Sequence, residues 1–177
     1  MSTSRCYSRC MTDRLTPRED RAWRGFHHLR LALLGHLARE LARDSGLTES
    51  DYAVLLALAE APRRRMRARD LGQRLEWERS RVSHQIGRME ARGTVCREAS
   101  PDDGRGFEAV LTEAGLAAIR GATPQHLAAV RHCFLDVLTP EQLDTLAEIA
   151  DAVVAHLRDE HAGEDPAGGR AARGAGR

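Results

Sequence analysis

A polar helical face is the most distinctive feature of residues 77 to 93, WERSRVSHQIGRMEARG. Side chains three and four residues apart share one face of a helix, and most of the polar ones here group on one side. They are Ser80, Arg81, Ser83, His84 and Arg88. Arginine can pair with guanine edges or with phosphates, and serine and histidine can reach either kind of group. The pattern therefore predicts a helix that lies in the major groove of DNA.

The opposite side of this helix is apolar and would hold it in the fold. Val82, Ile86 and Met89 lie at positions i, i+4 and i+7, a spacing that predicts a buried stripe. A short helix is predicted over residues 68 to 75, and the segment Glu76-Trp77-Glu78 is short enough for a tight turn between the two helices. Helix, turn and helix in this order predict a helix-turn-helix motif.

The periodicity changes after Gly93. Residues 94 to 98 and 107 to 111 are predicted as two short strands, and the segment between them, ASPDDGRG, has turn-forming composition throughout. The sequence thus predicts one exposed hairpin with a charged tip, which would form a wing beside the helix-turn-helix.

Two details of the basic segment leave alternatives open. Gly87 lies inside the predicted DNA-reading helix, where glycine costs about 1 kcal/mol relative to alanine. On the outer face, its missing side chain would let DNA approach the backbone. The cluster Arg63-Arg64-Arg65 could contact phosphates, and it could equally be a solvated run of charge.

Charge is distributed unevenly along the chain. The net charge is +1, yet residues 63 to 92 contain ten arginines against four acidic residues, a local +6 that leaves about −5 for the remainder. All 27 basic residues are arginine, which we attribute to a GC-rich coding sequence rather than to binding. The asymmetry itself is typical of a nucleic-acid-binding face on a neutral or acidic body.

Amphipathic helices are predicted on both sides of this basic unit. Each would begin at an N-capping threonine. These threonines are Thr16, Thr48, Thr112 and Thr139. The first helix should end at Asp44-Ser45-Gly46, and Thr48 has Asp51 three residues on as its capping-box partner. Gly121 and Thr123-Pro124 are predicted to kink or restart the helix that follows Thr112.

From Thr16 to Leu157 the chain resembles the MarR family of winged helix-turn-helix transcriptional regulators. The most specific parts are DLGQRLEWERSRVSHQIGRMEARGTVCRE, residues 70 to 98, and PDDGRGFEAVLTEAG, residues 101 to 115. Within the wing, Asp103-Gly104-Arg105 matches the D-x-R pattern of the family. The resemblance implies a mainly α fold with a small β-hairpin wing, and a homodimeric repressor that binds a palindromic operator in double-stranded DNA.

The resemblance also assigns roles to particular residues. The five polar residues of the DNA-reading helix would contact bases and phosphates, and Arg105 would enter the narrow, negative minor groove. Asp103 would orient Arg105 without touching DNA. Both terminal segments carry apolar stripes broad enough to need a partner, which independently favours a dimer.

These expectations divide the chain into regions. The helical dimerisation region would comprise residues 16–46 and 112–158, and the winged helix-turn-helix domain residues 47–111. Residues 1–15 and 159–177 would be disordered tails, of which the second, rich in glycine and alanine, has no core-forming residues. The physiological start could be Met1 or Met11.

Effector binding is an expectation that the family suggests. Its members often bind a small aromatic or anionic molecule between the dimer helices and the winged domain. Trp23, Arg24 and His27 lie on the first helix near that region, with His28, Arg30 and His36. Trp23 and Phe26 also fit a plain interface core, which is the commoner role of such residues.

A cysteine-based redox sensor is a second interpretation. Some relatives use a reactive cysteine near the first helix, and Cys6 and Cys10 lie just before it, although both precede Met11. Cys96 and Cys133 are more simply small buried residues. A winged helix that binds another protein is a third interpretation, and it would lack the steep salt dependence of DNA binding.

Other classes of protein find no support in the sequence. It contains no H-E-x-x-H motif, and His156 and His161 point away from each other on a helix, so we expect neither a metal site nor a cofactor nor an enzyme. No apolar run approaches the roughly 20 residues that span a bilayer, and MSTSRCYSRC has no signal-peptide core, which predicts a cytoplasmic protein without membrane contact.

Overall fold

The structure is a computed structural model that describes residues 15–99 and 106–163. Its elements, in chain order, are α1 (Pro17–Ser45), α2 (Glu49–Glu60), β1 (Arg65–Arg67), α3 (Ala68–Leu75), α4 (Arg79–Ala91), β2 (Val95–Ala99), β3 (Phe107–Leu111), α5 (Glu113–Cys133) and α6 (Pro140–Gly163). Single turns of 3-10 helix cover Pro62–Arg64 and Leu135–Val137. The predicted fold class, mainly α with a small β wing, is confirmed.

The predicted helix starts are confirmed by hydrogen bonds. Thr16 and Glu19 form a capping box, as do Thr48 and Asp51. Ahead of α5, the Gly115 N–H donates to the Thr112 hydroxyl at 3.0 Å. Each cap satisfies backbone N–H groups that the first turn of a helix leaves without partners. These three helices therefore begin where local chemistry alone would place them.

The sheet has three antiparallel strands in the order β1-β3-β2. Strands β2 and β3 form the predicted hairpin, shifted by one residue at its first strand, with Val95 opposite Leu111 and Ala99 opposite Phe107. Strand β1 was not predicted, because three residues are too few to show an alternating pattern. It exists because Met66 and its neighbours pair with β3, a contact distant in sequence.

The predicted restart within α5 does not occur. The helix runs through Gly121 and Pro124 without a restart. A proline inside a helix removes one backbone hydrogen bond and usually kinks or breaks it, but tertiary packing can compensate. Here α5 packs along α1, and its first turn lies so close to the sheet that a Cβ on Gly115 would come within 2.1 Å of the Thr94 carbonyl oxygen.

The chain divides into two compact units, Met1–Cys133 and Phe134–Arg177. The first unit holds α1 to α5, the sheet and a continuous apolar core. Its fully buried members include Val54, Leu55, Leu58, Leu71, Val82, Ile86, Met89 and Val95.

The second unit holds α6, a helix that begins with a capping box in which the Thr139 N–H donates to Gln142 Oε1 at 2.9 Å. It continues past Asp159 to Gly163, so the predicted disordered tail 159–177 begins as helix. No glycine or proline interrupts residues 141–162 and Glu160 is a good helix former, so the helix can extend past Asp159. Among the described residues, no helix is both long and apolar enough to cross a membrane.

Candidate nucleic-acid interface

Helix α4 has one buried face and one exposed face. Val82, Ile86 and Met89 are at most 1% exposed, which confirms the predicted stripe. The predicted DNA-contacting residues of this helix all lie on the exposed side: Ser80, Arg81, Ser83, His84 and Arg88. Burying the apolar stripe fixes the rotation of the helix about its axis, and that rotation turns the polar side chains to solvent.

A tight turn sets the angle between α3 and α4. Glu76 takes the left-handed conformation, φ 53°, and the Trp77 N–H donates to the Gly72 carbonyl at 2.8 Å. A Cβ on Gly72 would lie 2.9 Å from the Trp77 carbonyl oxygen, so only glycine allows this close approach. The Arg81 guanidinium lies over the Trp77 ring, 4.2 Å from its centroid, and is thereby held at the first turns of α4.

A buried carboxylate joins α4 to α2. Asp51, 1% exposed, accepts a hydrogen bond from Gln85 Nε2 at 2.6 Å and another from Arg92 Nη1 at 3.1 Å. The same carboxylate accepts from the Thr48 backbone N–H at 3.0 Å. Burial by itself would raise the pKa of Asp51, but the hydrogen bonds from Arg92 and Thr48 and the charge of Arg92 outweigh it and lower that pKa. Asp51 is therefore held as a carboxylate.

Gln85 connects this hydrogen-bond network to the exposed face of α4. Its side chain is buried, with 2% exposed, and its Oε1 accepts a hydrogen bond from Arg88 Nη2. The buried amide thus orients an arginine that faces solvent. A glutamine three residues after Val82 falls on the apolar stripe, and this was a signal in the sequence for a buried polar partner. Its partner Asp51 could not be named without the fold.

Arg97 attaches the wing to α4. Its Nη2 donates to the Ser83 carbonyl at 2.8 Å, its backbone N–H donates to Glu90 Oε1 at 3.2 Å, and its guanidinium lies 4.7 Å from the centroid of the Phe107 ring. Gly87 faces this guanidinium, since a Cβ there would be 3.2 Å from Arg97 Nη2. Gly87 thus makes room for a contact within the protein, which sequence periodicity could not reveal, while its suggested role in the approach of DNA stays a prediction.

Two arginines of the 63–65 cluster are engaged in ion pairs. Arg64 Nη1 lies 3.0 Å from Glu113, and Arg65 Nη1 lies 2.8 Å from Glu98 and 3.5 Å from Glu108. Glu98 and Glu108 are directly opposite each other on neighbouring strands, where like charges repel. Arg65 offsets that repulsion, so a role in holding the sheet together is favoured for it over phosphate contact.

Comparisons with known proteins identify the family. Residues 45–106 match the family model of the MarR family. The chain is 41% identical to AbsC, a MarR family transcriptional regulator from Streptomyces coelicolor, covering 82% of this chain and 97% of that one, with a TM-score of 0.77. The protein belongs to the MarR family. Its structure is also similar to that of Sco3205, a MarR family transcriptional regulator from the same organism solved in complex with DNA, at 42% identity, coverages of 81% and 93%, and a TM-score of 0.78.

A more distant structure shares the MarR fold alone. The organohalide-sensing regulator RdhR-CbdbA1625, solved with 2,4-dichlorophenol bound, is 18% identical, covers 82% of this chain and 84% of its own, and has a TM-score of 0.69. A search of curated proteins finds no match.

The wing tip of this MarR-family regulator lies outside the described residues. Asp103 and Arg105 both belong to the segment 100–105, which connects the paired residues Ala99 and Phe107. Their roles, minor-groove contact for Arg105 and its orientation by Asp103, stay predictions.

The predicted effector residues lie on the first half of α1. Trp23 is 49% exposed and its ring centroid lies 6.1 Å from that of Phe26, while Arg24 Nε donates to Asp20 at 2.8 Å. His27 is exposed one turn on from Trp23. In the part of the chain that the structure describes, these side chains share one helix rather than enclosing a pocket.

A small cavity lies farther along α1, where α1 faces α5. It is lined by residues that include Leu41, Ala122 and His126, and its volume is about 10 Å³. That is room for a single water molecule and too little for an aromatic effector. Of the cysteines, Cys96 and Cys133 are half-buried thiols, and Cys6 and Cys10 lie outside the described residues.

Proposed function

We propose that this MarR-family transcriptional regulator is a sequence-specific repressor that binds a palindromic operator as a homodimer. The observation that carries the proposal is the division of α4 into a buried apolar face and an exposed face of arginine, serine and histidine. Sco3205, which is 42% identical to this chain, was solved with DNA. That relative supports DNA as the partner of the exposed face.

The arginines of α4 would enter the groove already oriented. Arg81 stacks on Trp77, and Arg88 is held by Gln85, so each loses less side-chain freedom on binding than an unrestrained arginine. Orientation of this kind favours contacts with base edges, because a bidentate contact to guanine needs a guanidinium at a fixed angle. Arg105, carried by the wing, would add an electrostatic contact in the minor groove.

The exposed apolar residues of the two terminal helices support a second copy of the chain as partner. On α1, several large side chains are more than two-fifths exposed: Trp23, Phe26, Leu29, Leu31 and Leu34. On α6, the exposed set is Leu146, Ile149, Val153, Val154 and Leu157. Apolar stripes this long are typical of an interface. A two-fold symmetric dimer would present two copies of α4 to the two halves of a palindrome.

We further propose that a small aromatic or anionic effector releases the regulator from its operator. Trp23, Arg24 and His27 offer an aromatic surface, a cation and a hydrogen-bonding ring within little more than one helical turn. Because they share one exposed helix face, a pocket around them would need the partner subunit as its other wall. The effector would then bind only to the dimer.

The test is DNA binding by alanine variants of α4. An operator is first selected from random duplexes by the purified protein, and its affinity is measured at two salt concentrations. Arg81→Ala, His84→Ala and Arg88→Ala should each weaken specific binding by about 1 to 3 kcal/mol per lost base contact, with unchanged stability. Arg39→Ala, an exposed arginine of α1, is the matched control and should bind as the wild type does.

Two results would contradict the proposal. Wild-type affinity in all three α4 variants would reject this helix as the reader of DNA. Binding to duplex DNA that is absent, or that does not weaken as salt rises, would favour a winged helix that binds another protein.

A further inference from the structure

We propose that His36, Glu40 and Cys133 bind one divalent transition-metal ion of the zinc class. His36 and Glu40 lie one turn apart on α1, and Cys133 is the last residue of α5. One potential ligand atom from each side chain lies within 4.8 Å of the other two. From the sequence we expected no metal site, because Cys133 belongs to a distant helix and only the packing of α5 on α1 brings it there.

The spacing of the ligand atoms fits a tetrahedral ion. Bonds of about 2.0 Å to nitrogen or oxygen and about 2.3 Å to sulfur place neighbouring ligand atoms roughly 3.3 to 3.8 Å apart. His36 Nε2 and Glu40 Oε1 are 3.5 Å apart, already within that range. Cys133 Sγ need approach by only about an ångström for three ligands to surround one ion, which a side-chain rotation can supply.

The donor set selects the kind of ion. A thiolate and an imidazole are preferred by zinc and its neighbours in the first transition row, whereas magnesium and calcium prefer sites made of oxygen atoms alone. All three side chains are half-buried, so a bound ion would be partly shielded from water while a fourth position stays open to it. The site would therefore bind zinc or cobalt(II) rather than an alkaline-earth ion.

The surrounding charges permit this binding. Glu40 lies 3.4 Å from Arg43, but the Arg43 guanidinium is closer to Asp44, at 2.8 Å. Arg43 can therefore keep Asp44 as its partner when Glu40 turns to a metal ion. The His36–Glu40 contact is itself a half-buried pair within one helix, of a kind that contributes little to stability, so metal binding would cost little stability when this contact is lost.

Cobalt(II) titration of the full-length, reduced protein tests the site. Cobalt takes tetrahedral zinc positions, and its bond to a thiolate gives a charge-transfer band in the near ultraviolet. We expect this band to saturate at one cobalt per chain and to disappear when zinc is added. Cys133→Ser should abolish the band. His36→Gln should weaken cobalt binding by at least about tenfold, since mutating even a residue that only supports a metal ligand typically lowers metal affinity by that much.

Matched controls separate this site from other thiols and imidazoles. Cys96→Ser, the double variant Cys6→Ser/Cys10→Ser, and His27→Gln on the same helix should all keep the band at full intensity. The proposal is overturned if the wild type gives no band, or if Cys133→Ser keeps it. It is equally overturned if Cys96→Ser or the double variant Cys6→Ser/Cys10→Ser removes the band. Circular dichroism of each variant establishes that the helices are intact, so that a lost band reports a lost ligand.

Discussion

Asp51 is the residue on which two parts of the DNA-binding unit depend. Its backbone N–H donates to the Thr48 hydroxyl at 3.1 Å in the cap of α2, and its carboxylate accepts hydrogen bonds from Gln85 of α4 and from Arg92, the residue that follows α4. Hydrogen bonds to a charged group are stronger than those between neutral groups. One buried carboxylate thus fixes both the start of α2 and the position of the helix proposed to read DNA.

The lowered pKa of Asp51 predicts how stability depends on pH. A carboxyl whose pKa is lower in the folded than in the unfolded chain stabilises the fold above the unfolded value, about 3.9, and loses that contribution as pH falls through the folded value. Asp51→Asn should lower the free energy of unfolding at pH 7 by about 1 to 3 kcal/mol. The difference in the free energy of unfolding between wild type and Asp51→Asn should then shrink as pH falls below about 4.

Urea unfolding of both proteins, at neutral pH and at several lower values, measures this. Asp70→Asn, an exposed acidic residue of α3, serves as control and should differ from wild type by no more than about 0.5 kcal/mol. If the free energies of unfolding of wild type and Asp51→Asn differ by the same amount at every pH, the charge of Asp51 contributes nothing to folding.

At the scale of elements, the contact between the wing and α4 depends on Gly87 and Arg97. Gly87→Ala should favour the helix by up to about 1 kcal/mol and yet displace the Arg97 guanidinium, because the new methyl group would lie 3.2 Å from it. We therefore expect Gly87→Ala to weaken operator binding in the wild-type background. In an Arg97→Ala background, which already lacks the guanidinium, the same change should have no further effect on binding.

A double-mutant cycle of operator affinities measures this coupling. If Gly87→Ala weakens binding equally in both backgrounds, its methyl group obstructs DNA directly, and the contact with Arg97 is incidental. Thermal unfolding of all four proteins separates changes in helix stability from changes in affinity.

Local signals explain how much of the fold could be predicted. Capping threonines and apolar periodicity lie within a few residues of the element they define, so α1 to α4 and the hairpin were predicted closely. The strand β1, the uninterrupted α5 and the partners of Gln85 depend on contacts between distant segments. The exposed face of α4 followed from periodicity, whereas the inner contacts that orient its arginines did not.

At the scale of the whole molecule, the apolar face of α6 predicts self-association. We expect a stable dimer at micromolar concentration, and Ile149→Glu should shift it toward monomer because a charge would replace an exposed apolar side chain that the dimer would bury. Glu148→Ala is the control, since its side chain projects from the opposite side of the same helix. Light scattering gives the mass of each protein, and a wild-type monomer across the micromolar range would reject both the dimer and the palindromic site.

The two faces of α4 have a consequence for how this regulator can change over generations. The side chains of Ser80, Ser83 and His84 point outward, while the core below rests on other residues of the same helix. Surface substitutions away from packed or capped positions usually alter stability by less than about 0.5 kcal/mol. Under the proposed reading of DNA by α4, mutations at these three positions would retarget the protein to a different operator without endangering its fold, so new regulatory circuits could evolve from duplicated copies of one stable scaffold.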